Sequence, residues 1–252
     1  MTTDDAKNIK ELMKTMRVRD PNLRVSGASQ HKYHLGPTLT EDELTAFEQT
    51  HQVTLPADYR LFLKEIGNGC AGPSYGVPSL ERVLCDCDPS QPFPFTERAE
   101  VAEFPSIKNW GDEEPYPGLI VIHDNGTFFS YLVVNGPAHG TIWETEWSVG
   151  FYPTGLSFDA WYRRWIDFLV ETALPTLARE KIVEKITLGM TMTEVIEICG
   201  AVGGPWQKTD SAWSKSKRTL RFEHLATQFE LAETDVLVRI RSLPIFRREV
   251  VI

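Results

Sequence analysis

The chain has 252 residues, 42% of them hydrophobic, 24% charged and 11% aromatic. Those proportions exclude a wholly disordered or collagen-like chain, and the length suits one large domain or two modest ones. A net charge of −9 argues against non-specific nucleic-acid binding, which needs a basic surface. No apolar run approaches the ~20 residues that cross a bilayer, and the polar, acidic N-terminus has no secretory pattern, so the expected compartment is the cytoplasm. Cys70, Cys85, Cys87 and Cys199 are few for the length and fit reduced thiols rather than a disulfide framework.

Residues 3–17 place Ile9, Leu12, Met13 and Met16 at helical offsets, and Asp20-Pro21 ends that helix. The polar stretch Ser26 to His34 reads as a linker. Thr40-Glu-Asp-Glu43 is a capping box, flanked by Leu39 and Leu44 at staple positions. A second helix starts at Pro56 with Tyr59, Phe62, Leu63 and Ile66 on one face and Gly67 as its stop. From Gly69 to Pro94 the chain reads as a long loop. Two strands, Leu119 to His123 and Thr127 to Val134, flank the turn Asp124-Asn125-Gly126. Thr141 to Trp147 alternates Trp143, Thr145 and Trp147 with Ile142, Glu144 and Glu146, the pattern of a half-buried strand with one acidic face. Ser157 caps a helix with a core-facing stripe of Phe158, Trp161, Tyr162, Trp165, Phe168 and Leu169, which Pro175 is expected to break. A second capping box, Thr191-Met-Thr-Glu194, precedes a short helix stopped by Gly200. Runs at 218–222, 226–231 and 236–242 then predict a three-stranded antiparallel meander.

The charge is concentrated. Residues Glu81 to Glu146 hold twelve acidic and three basic residues, a local net charge of −9, and the rest of the chain is neutral. Asp86, Asp88, Glu97, Glu100, Glu103, Asp112, Glu113 and Glu114 fall in irregular sequence expected to be exposed, where like charges can steer a basic partner. They are the candidate partner-binding residues, with a solvated face as the plain alternative. Other chemistry is thinner. Cys85-Asp-Cys87 with Asp88 or His123 lacks the second cysteine pair of a structural zinc site. His123-Asp124 and Cys70 offer the residue types of a nucleophilic site, but a histidine just before a tight turn is expected to be solvated. The glycines from Gly200 to Gly204 follow a helix instead of opening one, so they make no phosphate cradle. Lys208, Lys215, Lys217, Arg218 and Arg221, near Trp206 and Trp213, read as a solvated hairpin. No metal, cofactor or catalytic residue is expected.

The ordered series Glu43-(x)4-Glu48, Leu55-Pro56-Ala-Asp-Tyr59-Arg60-Leu-Phe62-Leu63 and Asn68-Gly69 resembles the signature of the SUKH superfamily, the Smi/Knr-like group. Gly118-Leu-Ile-Val-Ile, Gly140-Thr-Ile-Trp143 and Ser157-Phe158-Asp-Ala-Trp161-Tyr162 with Trp165 extend that resemblance over about residues 38–172. It implies an α+β domain without enzymatic activity: an antiparallel or mixed sheet with flanking helices. In bacteria such domains mostly act as immunity proteins that neutralise a cognate polymorphic toxin, often a nuclease or deaminase, and some members are regulatory scaffolds. The pattern Ile186-Thr-Leu-Gly189-Met190-Thr191, Glu194-Val195 and Cys199-Gly200 is similar to small SmpA/OmlA-type modules. The expected organisation is an N-terminal helix and linker at 1–37, a SUKH-like domain at 38–175 and a C-terminal α+β module at 176–252. The expected partner is a basic toxin domain, with neither membrane nor direct nucleic-acid contact.

Overall fold

A computed structural model describes residues 1–84, 87–99, 115–126, 128–146, 150–183 and 186–200, and the strand segments 206–210, 218–222, 227–231 and 237–242. The chain forms two compact units, the first from Met1–Arg17 and Gly27–Ile166, the second from Val18–Ser26 and Asp167–Ile252.

The first unit begins with helix α1 (Thr3–Arg19), which buries Ala6, Ile9, Met13 and Met16. The stretch after it is packed, unlike a free linker: Ala28, His31 and Tyr33 around the short helix α2 (Ala28–His31) are buried. Gly27 enters α2 at φ +81°, and a Cβ there would overlap the Ser74 carbonyl oxygen, so both conformation and space require glycine. Helix α3 (Glu41–His51) opens on the expected capping box: the Glu43 amide donates to Thr40 Oγ1, and the Thr40 amide donates to the Glu43 carboxylate at 2.8 Å. Helix α4 (Ala57–Glu65) follows Pro56 and buries Tyr59, Phe62 and Leu63.

The sheet is an antiparallel meander in the order β3 (Leu119–Asp124), β4 (Phe128–Val133), β5 (Thr141–Glu146) and β6 (Gly150–Ser157). A two-stranded parallel pair, β1 (Cys87–Asp88) with β2 (Tyr116–Pro117), precedes it. One face packs Leu119, Val121, Tyr131, Val133, Trp143 and Phe151 around Phe93. Ile142, next to Trp143 and therefore on the other face, is as fully buried as Trp143. The expectation of a half-buried β5 is thus overturned, because the sheet is covered on both sides at that point. Helix α5 (Phe158–Phe168) supplies the second layer. Phe62 of α4 meets Phe158 and Tyr162 of α5, each with ring centroids 4.9 Å away, so the helical stripe is core as its period requires.

In the second unit the helix does not break at Pro175. A π-helical turn, Leu169–Ala173, leads into α6 (Leu174–Val183), with Pro175 at the second position of α6. The altered backbone pitch of a π turn accommodates a residue that lacks the amide hydrogen and would strike the preceding turn of a regular α-helix. Helix α7 (Met192–Gly200) opens on the second capping box, the Thr191 amide donating to Glu194 at 2.7 Å. The meander that follows has four strands in sequence order, β7 (Trp206–Asp210), β8 (Arg218–Phe222), β9 (Thr227–Leu231) and β10 (Leu237–Ser242). β7 was not foreseen: Gln207, Lys208, Thr209 and Asp210 are polar, and it forms by pairing with β8 from Trp206↔Phe222 to Asp210↔Arg218.

Candidate functional site

The signature residues of the first unit hold its helices together. Glu48 on α3 accepts the Leu55 amide at 2.9 Å and the Arg60 guanidinium at 3.3 Å, tying α3 to the start of α4. Arg60 also pairs with Glu41, which bonds Lys64, so the network of two acids and two bases is neutral. Those contacts hold the Glu41 carboxyl below its ordinary range and the Arg60 guanidinium above its own, with the Lys64 and Glu48 hydrogen bonds as the respective leading causes. Asn68 Oδ1 accepts the Leu80 amide at 2.7 Å, and its amide nitrogen reaches Glu81. Tyr162 on α5 donates its hydroxyl to the Ala71 carbonyl at 2.8 Å. Thus the motif residues are engaged within the fold and build its scaffold.

Of the eight acidic candidates, Asp88 and Glu97 lie among the described residues. Asp86, Glu100, Glu103, Asp112, Glu113 and Glu114 lie outside them. Glu97 is exposed, whereas Asp88 is half-buried and accepts the Ser90 hydroxyl at 2.6 Å and the Ser90 amide at 3.0 Å. Asp88 therefore shapes a turn, and Glu97 offers its charge to solvent. A groove of about 600 Å³ on the same unit was not foreseen. It is lined by Gln49 of α3, Gln52 at that helix's C-cap, Val53, Val134, and Asn135 and His139 of the β4–β5 connection. His139 Nε2–H donates to the Thr54 carbonyl at 2.8 Å, closing one end. No local motif announces this groove, because its walls come from segments 85 positions apart.

The model of the SMI1/KNR4 family (SUKH-1) matches residues 38–165, half of the chain. The chain belongs to the SMI1/KNR4 family. No curated protein and no solved structure matches it. His123 and Cys70, the residue types weighed for nucleophilic chemistry, are both buried in this SUKH-1 domain. His123 is buried, 8% exposed, and not solvated as expected. Its Nδ1 lies 3.3 Å from Ser130 Oγ, which lies 3.5 Å from Glu144 Oε1. Burial lowers the His123 pKa to about 4, against the opposing pull of Asp124. Ser130 is itself 3% exposed, so this His–Ser–Glu row does not present a hydroxyl to a substrate. Cys70 is buried, its pKa pushed up to about 12 by burial, which keeps it a thiol at neutral pH. Cys87 lies in the core beside the sheet, and the described residues contain no group of His, Cys, Asp and Glu side chains suited to a metal ion. No helix among them is long and apolar enough to cross a membrane.

Proposed function

We propose that this SUKH-1 protein is a non-enzymatic immunity protein that binds the catalytic domain of a cognate toxin and blocks its active site. The observation that carries this reading is family membership joined to a scaffold whose signature residues are engaged internally. That arrangement leaves the variable surface to recognition. The acidic stretch Glu81 to Glu146, with its net charge of −9, is the surface matched to a basic toxin. A nuclease or deaminase that grips nucleic acid presents such a basic groove, and Asp86, Asp88, Glu97, Glu100, Glu103, Asp112, Glu113 and Glu114 are assigned to meet it. Binding there acts by occlusion and long-range attraction in the cytoplasm. The SUKH-like part is taken as 38–175. The SmpA/OmlA-like part at 176–252 is assigned to extend or stabilise the interface, after an N-terminal segment at 1–37.

The test is co-expression with the C-terminal domain encoded by the neighbouring reading frame. Toxicity relieved by this chain, and not by an unrelated SUKH protein, supports the reading. A toxic neighbour left unrelieved excludes that pairing. A harmless neighbour, together with co-purification of a housekeeping partner, favours the regulatory-scaffold role that other members of the superfamily have.

A further inference from the structure

Among the described residues, two histidines are buried against the same helix. The ring of His31, at the end of α2, lies 5.8 Å from Trp165, and that of His123, on β3, lies 6.3 Å from Trp161. The two tryptophans are four residues apart, one turn of α5. Each imidazole leaves a buried Nε2 without a hydrogen-bond partner among the described residues.

The two rings are held in different tautomers. His31 Nδ1 accepts the Tyr33 amide at 3.0 Å, so it carries the lone pair and the ring proton sits on Nε2. A second proton must displace that amide, which belongs to a fully buried residue. His123 reaches its place through a β-bulge: Val121 pairs with Tyr131 and His123 with Ser130, leaving Ile122 as the extra residue. Regular alternation would have put His123 on the Val121 face, in the cluster around Phe93. The bulge turns it to the opposite face, in one row with Ser130 and Glu144. With the Ser130 hydroxyl directed at the Glu144 carboxylate, Ser130 Oγ accepts from His123 Nδ1–H. The buried Nε2 of His123 then keeps a bare lone pair, and a proton added there meets no acceptor among the described residues.

We propose that His31 and His123 form an acid-labile latch beneath α5, packing as neutral rings against Trp165 and Trp161 and loosening that helix when they are protonated. His34 disfavours a cation at His31, whereas Asp124, with the Glu144 carboxylate in the same row, favours one at His123. On α5, Arg163 is engaged by Asp159 and by Asp5 of α1. Burial dominates at both rings and lowers each pKa from 6.5 to about 4. The unfolded chain therefore takes up protons first as the pH falls. The contribution to stability is complete above about pH 6.5 and is lost as the pH drops toward 4, with up to a tenfold fall in the folding constant per pH unit for each histidine.

The experiment uses the full chain. Urea unfolding from pH 7.5 to 5.0 is compared for the native sequence, His31→Asn, His123→Asn and the double variant, in which asparagine preserves the Nδ1-side hydrogen bond but does not titrate. Each single variant is expected to lose about half of the pH dependence between 6.5 and 5.0, and the double variant nearly all of it. Hydrogen exchange, corrected for intrinsic rates, is expected to rise in 158–168 before 41–51 on acidification. Should the double variant fail to fold, proton resonances of the native histidines decide: two rings that stay neutral down to pH 5 support the latch. Either ring titrating near 6.5 in the folded protein overturns it. An undiminished pH slope in a folded double variant does so equally, as does exchange in α5 no faster than in α3.

Discussion

Glu48 illustrates how a charged signature residue can serve the fold. Its side chain is 16% exposed and serves both the Leu55 amide and Arg60. Leu55 is 2% exposed, so removing the carboxylate leaves a buried N–H without its acceptor, a loss of about 1–3 kcal/mol. Glutamine keeps an oxygen for that amide but loses the charge facing Arg60, whose other acid, Glu41, remains. We therefore expect Glu48→Ala to destabilise by about 2 kcal/mol and Glu48→Gln by about half as much, as measured by urea unfolding. Equal losses would assign the effect to the ion pair instead of the amide. Partner affinity per folded molecule should be unchanged in both variants, since Glu48 is assigned to the scaffold.

At the scale of elements, the docking of α1 poses a choice between packing and charge. Asp5 pairs with Arg163 at 2.6 Å, but the two side chains are 29% and 39% exposed, so solvent screening keeps their coupling small. Met13, fully buried on the same helix, loses about 2–5 kcal/mol on truncation. Hence Met13→Ala should cost several times the coupling energy from a double-mutant cycle of Asp5→Ala and Arg163→Ala; a coupling as large as the Met13 effect would make the ion pair the anchor. The apolar face of α1 was legible in the sequence because its spacing is local, and so were the capping boxes at Thr40 and Thr191. What escaped is set by strand register, backbone pitch and contacts between segments, none of which side-chain spacing records. The bulge at Ile122 buries a histidine that chain order places at an exposed turn. The π turn before Pro175 lets a helix pass a residue that ordinarily ends one, and β7 gains its place from β8 instead of from an apolar pattern of its own. The acidic candidates were legible as charge, yet Asp88 is engaged by Ser90, a role that composition does not reveal. The groove beside Gln49 was illegible for the same reason as the bulge.

For the whole molecule, the separation of scaffold from charge predicts how a partner would be met. The neutral Glu41–Arg60–Glu48–Lys64 network adds little long-range field, so the proposed steering of a basic partner would rest on the unbalanced acids between Glu81 and Glu146. Such a field acts over roughly 8 Å at physiological ionic strength and raises encounter rates more than it slows dissociation. Reversing Glu113 and Glu114 to lysine should therefore slow association with the toxin domain found by rescue, on the order of tenfold at low salt, and flatten its salt dependence. The dissociation rate should change much less, because rim charges contribute little once close packing is made. Stopped-flow association at several salt concentrations measures both quantities. An unchanged rate and salt slope would remove steering by these residues while leaving occlusion intact, and a large rise in dissociation alone would move them from the approach path into the packed centre of the interface.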